Sequence, residues 1–180
     1  MSIKGDKIEL GPVLTKYSDE KYSNYLYWMA NHEVIKYLES RFYPQTPEKL
    51  VQYVTEMNSN PNVVFFSIIE PNLGGNHIGN IKLLVNSWIH RFGEVGLVID
   101  QKYWGKGYGT EAISLVKDYA FTTLNLHKVW AGCYTQNTGS IKAFQKAGFE
   151  IEYEIKNQYQ LDGVYTDDIV LSAFNPKETR

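Results

Sequence analysis

The chain has one cysteine, Cys133, which excludes an internal disulfide framework and suits a reducing compartment. Long apolar runs are also missing. Nothing approaches the roughly 20 residues that a membrane span needs, and the opening MSIKGDKIEL lacks the apolar stretch of a secretory leader. These absences predict a cytoplasmic protein with no membrane partner. Charge of one sign is scarce too: 18 Lys+Arg stand against 20 Asp+Glu, for a formal net charge of −2. No basic run offers a broad face to nucleic acid, so that partner class is not expected, although a local basic site for a phosphorylated ligand remains open. The histidines His32, His77, His90 and His127 have neither metal-ligand spacing nor cysteine partners, which predicts no metal.

What is present is ordinary for a globular protein. The 180 residues suit one domain, 1–180, and 43% hydrophobic content can furnish its core. No repeat, low-complexity segment or linker divides it. Residues 7–15 read as an opening strand, and Ser18-Asp19-Glu20 as the cap and acidic first turn of a helix running towards Ala30. A short helical piece from His32 to Leu38 follows, then the irregular ESRFYPQ, then a helix from Thr46-Pro47-Glu48 to Met57 with proline at its first position.

Val63 to Ile69 is almost continuously apolar, as in a strand covered on both faces. His77 to Val85 and Glu94 to Asp100, joined by SWIHRF, complete an antiparallel meander. A helix, the strand Lys128 to Tyr134 and the short helix Asn137 to Ala147 follow, with Gly148 placed as a left-handed stop. Glu150 to Tyr159 alternates so that Ile151, Tyr153 and Ile155 are expected to face inward. Asp162-Gly163 is a hairpin turn into the strand Tyr165 to Ala173. The fold class expected is mixed α/β.

Within this order the segment WGKGYGTEA, Trp104 to Ala112, carries the chemistry. A strand passes into Gly105-Lys106-Gly107-Tyr108-Gly109 and then a helix at Thr110. Glycines let backbone N–H groups converge on an anion, and the helix adds unpaired amides and the positive end of its dipole. Taken alone, a glycine-rich turn before a helix accounts for the spacing equally well. Lys106 is not followed by Ser or Thr, as a P-loop requires. The antiparallel setting, with no carboxylate from Asn125 to Lys128, does not suit a dinucleotide-binding βαβ unit.

The chain resembles the GNAT acetyltransferases. Trp104-Gly105-Lys106-Gly107-Tyr108-Gly109 matches the family pattern Gln/Arg-x-x-Gly-x-Gly/Ala except for its first residue. That exception also occurs in the branch of ribosomal-protein N-terminal, spermidine and amino-sugar acetyltransferases. The similarity extends through LNLHKVWAG (Leu124 to Gly132) and QNTGSIKAFQKAGF (Gln136 to Phe149), and back to EVGLVID (Glu94 to Asp100). The resemblance implies a mostly antiparallel twisted sheet of about seven strands flanked by helices, with a central strand pair splayed around acetyl-CoA. The backbone of Leu97, Val98 and Ile99 would hold the pantetheine and thioester, with a main-chain N–H for the developing oxyanion. The amides of Gly105, Lys106, Gly107, Tyr108, Gly109 and Thr110, following Trp104, would hold the pyrophosphate. Asn137 and Ser140 match positions that contact the cofactor arm, although helix capping explains Asn137 as well. Many members carry a tyrosine as general acid where this chain has Phe144, which cannot donate a proton.

Transfer of an acetyl group to an amine whose conjugate acid has a pKa near ~10.4 needs a proton acceptor. Glu94 is the candidate base, on one strand face with Gly96 and Val98; an exposed strand-start glutamate is the competing explanation. Ser140 is the remaining local candidate acid. Cys133, in an apolar strand pattern, reads as core rather than nucleophile. Asp167 and Asp168 point to opposite faces and are not expected to form a dyad. The acceptor would enter between the early helices, SWIHRF and the last hairpin, past Glu39, Arg41 and His90. Likeness to amino-sugar acetyltransferases suggests a nucleotide-linked amino sugar whose phosphate meets Arg41. A peptide N-terminus or a polyamine is the alternative acceptor, and a non-catalytic acyl-CoA-binding module the alternative class. A homodimer is compatible with the same reading.

Overall fold

The structure is a computed structural model that describes residues 2–14 and 20–178. Its centre is one eight-stranded sheet in the order β1-β2-β3-β4-β5-β6-β8-β7. A two-residue strand not expected from the sequence, β1 (Ile3–Lys4), precedes the expected opening strand, β2 (Glu9–Pro12); the chain turns between them and pairs back on itself. This takes the count to eight. The three helices that follow are α1 (Glu20–Met29), α2 (His32–Ile35) and α3 (Pro47–Ser59). The cap expected at Ser18-Asp19 lies outside the described residues. Helix α2 stops at Ile35, three residues before Leu38, and a short 3₁₀ turn occupies Glu39–Phe42. Thr46 caps α3 by accepting from the Lys49 amide, with Pro47 in the first turn.

The meander is β3 (Val63–Glu70), β4 (Asn76–Ser87) and β5 (Phe92–Ile99), all antiparallel. Helix α4 (Tyr108–Thr122), strand β6 (Lys128–Tyr134) and helix α5 (Thr138–Lys146) come next. The chain then forms the hairpin β7 (Glu150–Leu161) and β8 (Val164–Phe174). Asp162 and Gly163 both have positive φ, 51° and 86°, as its two-residue turn requires. Gly148, at φ 87°, ends α5 in the left-handed region.

Each face of the sheet has its own core. Val95, Val129, Ala131, Cys133 and Leu171 pack with Ile113, Val116 and Ala120 of α4 and Phe144 of α5. On the other face Tyr25, Trp28, Ile35, Leu50 and Val54 of α1–α3 pack with Phe65, and Val98 joins them. Trp28 sits edge-on to the buried His77 ring at 4.9 Å, fixing α1 to β4.

The inward face expected for β7 is not found: Ile151 and Tyr153 are each 51% exposed. The strand lies at the sheet edge, and register shifts between Ile151 and Tyr153 and between Ile155 and Tyr159 break its alternation. In the second shift Asn157 takes φ 53°, and its amide donates to Asp167 Oδ1 at 2.8 Å.

Candidate active site

Strands β5 and β6 are the parallel pair in the middle of this sheet, and they pair only from Phe92↔Lys128 to Glu94↔Trp130. Beyond that point β5 runs on to Ile99 and β6 to Tyr134 without meeting. A wedge-shaped gap opens between them. Its β5 wall is Val95 to Ile99, whose other edge is bonded to β4.

The glycine segment stands at the wide end. Gly105 and Gly107 have φ of 75° and 87°, and Gly107 is the N-cap of α4. A side chain at Gly105 would meet nothing within 4 Å, so the loop backbone is open to a ligand there. A Cβ at Gly109 would lie 3.3 Å from Ile99 and 3.5 Å from Leu97, so this glycine lets α4 start close against β5. The Trp104 indole donates to the Ile99 carbonyl at 2.8 Å, tying loop to strand end. Tyr108 packs at 6.1 Å from Tyr103, and Thr110 accepts from Ser114 within α4. Lys106 lies over the Tyr103 ring. Lys7, which sequence reasoning missed, donates to the Lys106 carbonyl at 3.3 Å and brings another cation to the loop. Nothing local marks it, since it lies 99 residues away in the chain.

On the opposite wall Asn137 spends its side chain capping α5, accepting from the Ser140 amide at 3.3 Å. Ser140 Oγ lies 3.4 Å from Cys133 Sγ. Burial pushes the Cys133 thiol up to about 11, which suits a core thiol rather than a thiolate nucleophile. Phe144 is 2% exposed and edge-on to Phe149 at 5.0 Å, a core side chain rather than one lining the gap.

Glu94 faces the side of the sheet covered by α1–α3, at the narrow end of the gap. Burial raises its carboxyl above the ordinary carboxylate range; Lys82 opposes this, and the charges of Asp168 and Glu39 add to it. Asp168 is 3% exposed and also raised by burial, against bonds from the Cys133 backbone and the Tyr159 hydroxyl. Tyr159 stacks on Tyr134 at 4.3 Å. Asp167, its neighbour, instead pairs with Lys156 at 2.9 Å on the exposed side. Sequence reasoning excluded the pair as a dyad but did not place Asp168 in the site.

Arg41 is committed to the protein. It donates to the carbonyls of Lys36 (3.0 Å) and Gln160 (3.4 Å) and lies 3.5 Å from Asp162, fastening the 3₁₀ turn to the last hairpin. Glu39 is exposed at the start of that turn, near enough to Glu94 to influence its ionisation. His90 is exposed in the β4–β5 loop and borders a cavity of about 340 Å³ with Phe92, Trp130, Tyr153 and Val170. The structure thus groups Glu94 and Glu39 with Asp168, places the glycine segment beside Leu97 and Ile99, and leaves Phe144 and Arg41 to structural tasks.

A splayed parallel pair closed at one end by a carboxylate and at the other by a glycine-capped helix matches the known family. Residues 13–150 fit the model of the acetyltransferase (GNAT) domain. The chain belongs to the GNAT family. Among GNAT relatives, a probable N-acetyltransferase of Bacillus subtilis is 40% identical over 84 residues, covering 47% of this chain and 46% of that protein. Spermidine N(1)-acetyltransferase of Escherichia coli is 33% identical over 100 residues, 56% of this chain and 54% of the enzyme. The chain thus spans about half the length of the curated relatives it matches first. The ribosomal protein uS5-alanine N-acetyltransferase of E. coli is 25% identical over 145 residues, 78% of this chain and 73% of that protein. The GNAT fold is equally evident in solved structures. That of spermidine N-acetyltransferase from Vibrio cholerae, in complex with CoA and spermine, aligns over 95% of this chain and 97% of its own, with TM-score 0.80 and 21% identity. A GNAT acetyltransferase from Bacillus anthracis aligns over 98% and 100%, with TM-score 0.82 and 22% identity.

Proposed function

We propose that this chain is an acetyl-CoA-dependent N-acetyltransferase acting on a primary amine of a small cationic molecule. The observation that carries the reading is the gap between β5 and β6, with α4's N-terminal amides at its wide end and Glu94 at its apex. The residues fit acetyl-CoA. The open backbone at Gly105 and the amides at the start of α4 suit a pyrophosphate, flanked by Lys106 and Lys7. The unpaired edge of β5 at Leu97 and Val98 suits the pantetheine amides. Acetyl-CoA supplies the activated acyl carbon that the amine attacks, with cleavage of the carbon–sulfur bond.

The chain's own residues manage the protons and charge. Glu94, with its proton affinity raised by burial, takes a proton from the incoming amine directly or through water. A main-chain N–H of β5 bears on the carbonyl oxygen as charge develops there. Ser140 is the hydroxyl on the α5 side available to the departing sulfur. No covalent enzyme intermediate is needed, in keeping with the high proton affinity of Cys133.

For the acceptor, Glu94, Asp168 and Glu39 together favour a cation over an anion. The nucleotide-linked amino sugar has weaker support, because Arg41 already bonds to Lys36, Gln160 and Asp162. A cytoplasmic setting, one domain over 1–180 and no metal requirement complete the proposal. Release of CoA measured with alkylamines, an amino-sugar nucleotide and a peptide amino terminus tests it. Turnover with alkylamines is expected. Turnover only with the sugar nucleotide or peptide would reassign the acceptor, and acetyl-CoA binding without any turnover would make the chain a binding module.

A further inference from the structure

Asp168 lies near enough to Glu94 to influence its charge, with its own bonding incomplete. The residue is 3% exposed, and its Oδ1 has no hydrogen-bond partner among the described residues. A buried carboxyl oxygen without a donor is costly, so this oxygen is free to accept from a donor that a ligand brings.

Its surroundings are built to hold it. The Tyr159 hydroxyl bonds to the carboxyl. A Cβ at Gly132 would lie 2.9 and 3.0 Å from the two Asp168 oxygens and 3.0 Å from the Tyr159 oxygen. Gly132 therefore leaves the space that this pair fills, on the length of β6 that has parted from β5. Tyr159 reaches Asp168 because β7 shifts register between Ile155 and Tyr159, a shift anchored by the Asn157–Asp167 bond.

Position relative to Glu94 then decides what the carboxyl can bind. Glu94 lies opposite Trp130 and Asp168 opposite Tyr134. Four residues along a strand is roughly 13 Å. The two carboxyls feel each other's charge, yet their backbones stand too far apart for one ammonium group to bond both well.

We propose that Asp168 is a specificity-determining residue that holds a second cationic nitrogen of the acceptor, so that the preferred acceptor is a di- or polyamine whose reacting nitrogen lies beside Glu94. This rests on the amine acetyltransferase reading above. Steady-state kinetics at saturating acetyl-CoA test it, with α,ω-diaminoalkanes compared with n-alkylmonoamines of matched length for wild type, D168N and Y159F. Wild type should favour the best diamine by roughly 10- to 100-fold in kcat/KM. D168N should abolish that preference chiefly by raising KM for the diamines, the monoamines shifting far less and only through the charge lost near Glu94, and Y159F should reduce the preference in the same direction. Equal use of both series by wild type, or an equal loss of kcat for both in D168N, would overturn the proposal and leave the acetyltransferase reading standing. Should D168N fail to fold, the Y159F comparison decides alone, an unchanged preference counting against Asp168. Turnover of a peptide or sugar nucleotide with no alkylamine accepted would overturn both.

Discussion

At Glu94, burial and the charges of Asp168 and Glu39 outweigh the pull of Lys82, so the carboxyl keeps its proton to higher pH than an exposed glutamate. A base works only when unprotonated. Activity should therefore fall as pH drops through this raised value, and the acid limb of kcat/KM should lie above the 4.5 of an ordinary glutamate. Glu94→Gln should remove that limb and lower kcat by roughly 10²- to 10⁴-fold, which a pH–rate profile of both proteins would show. Asp168 is raised by burial as well, with a different consequence for stability. A carboxyl whose folded value exceeds its unfolded one contributes stability at low pH, and this is lost as pH rises through the folded value. At pH 8 the charged form is the one burial disfavours. Asp168→Asn is expected to melt at the same temperature as wild type or higher, and a lower melting temperature would show that the charge is satisfied within the fold.

The element that turns sequence into site is the glycine-capped start of α4. Gly107 at φ 87° cannot become alanine without strain of about 1–2 kcal/mol. Gly107→Ala should raise the dissociation constant for acetyl-CoA by roughly tenfold, measured by calorimetry, while kcat at saturation changes little. This element was legible in the sequence because its signal is local: glycines, a helix start and a strand before them stand next to one another. Glu94 was legible for a similar reason, since alternation in β5 places it on the Gly96 and Val98 face. Asp168, Tyr159 and Lys7 were not. Their positions depend on the splay of β5 from β6, on a register shift in β7, and on a contact 99 residues distant. Strand β7 misled because simple alternation assumes an unbroken ladder with one covered face, and this edge strand has neither. Arg41 was read as a contact for an acceptor phosphate because composition does not reveal that backbone carbonyls and Asp162 already engage it.

Across the whole molecule the sheet divides labour between its faces. Helices α4 and α5 cover one, where the glycine segment meets β5, and α1–α3 cover the other, the side proposed for the acceptor. Both cores share the same strands. Leu171→Ala on one side and Leu50→Ala on the other, at 0% and 4% exposure, should each cost about 2–5 kcal/mol. Urea unfolding should show a single transition in each, with tryptophan fluorescence and circular dichroism coinciding; separate transitions would mean that the two layers are not one cooperative unit. The central claim is direct transfer of an acetyl group from CoA to an amine across the gap between β5 and β6. It is tested most directly by a single turnover with acetyl-labelled CoA and a diamine acceptor, following the label by mass spectrometry. The label should pass to the amine nitrogen with none retained on the protein, and at a greatly reduced rate in Glu94→Gln. Label on Cys133, or no transfer to any amine, would contradict the account.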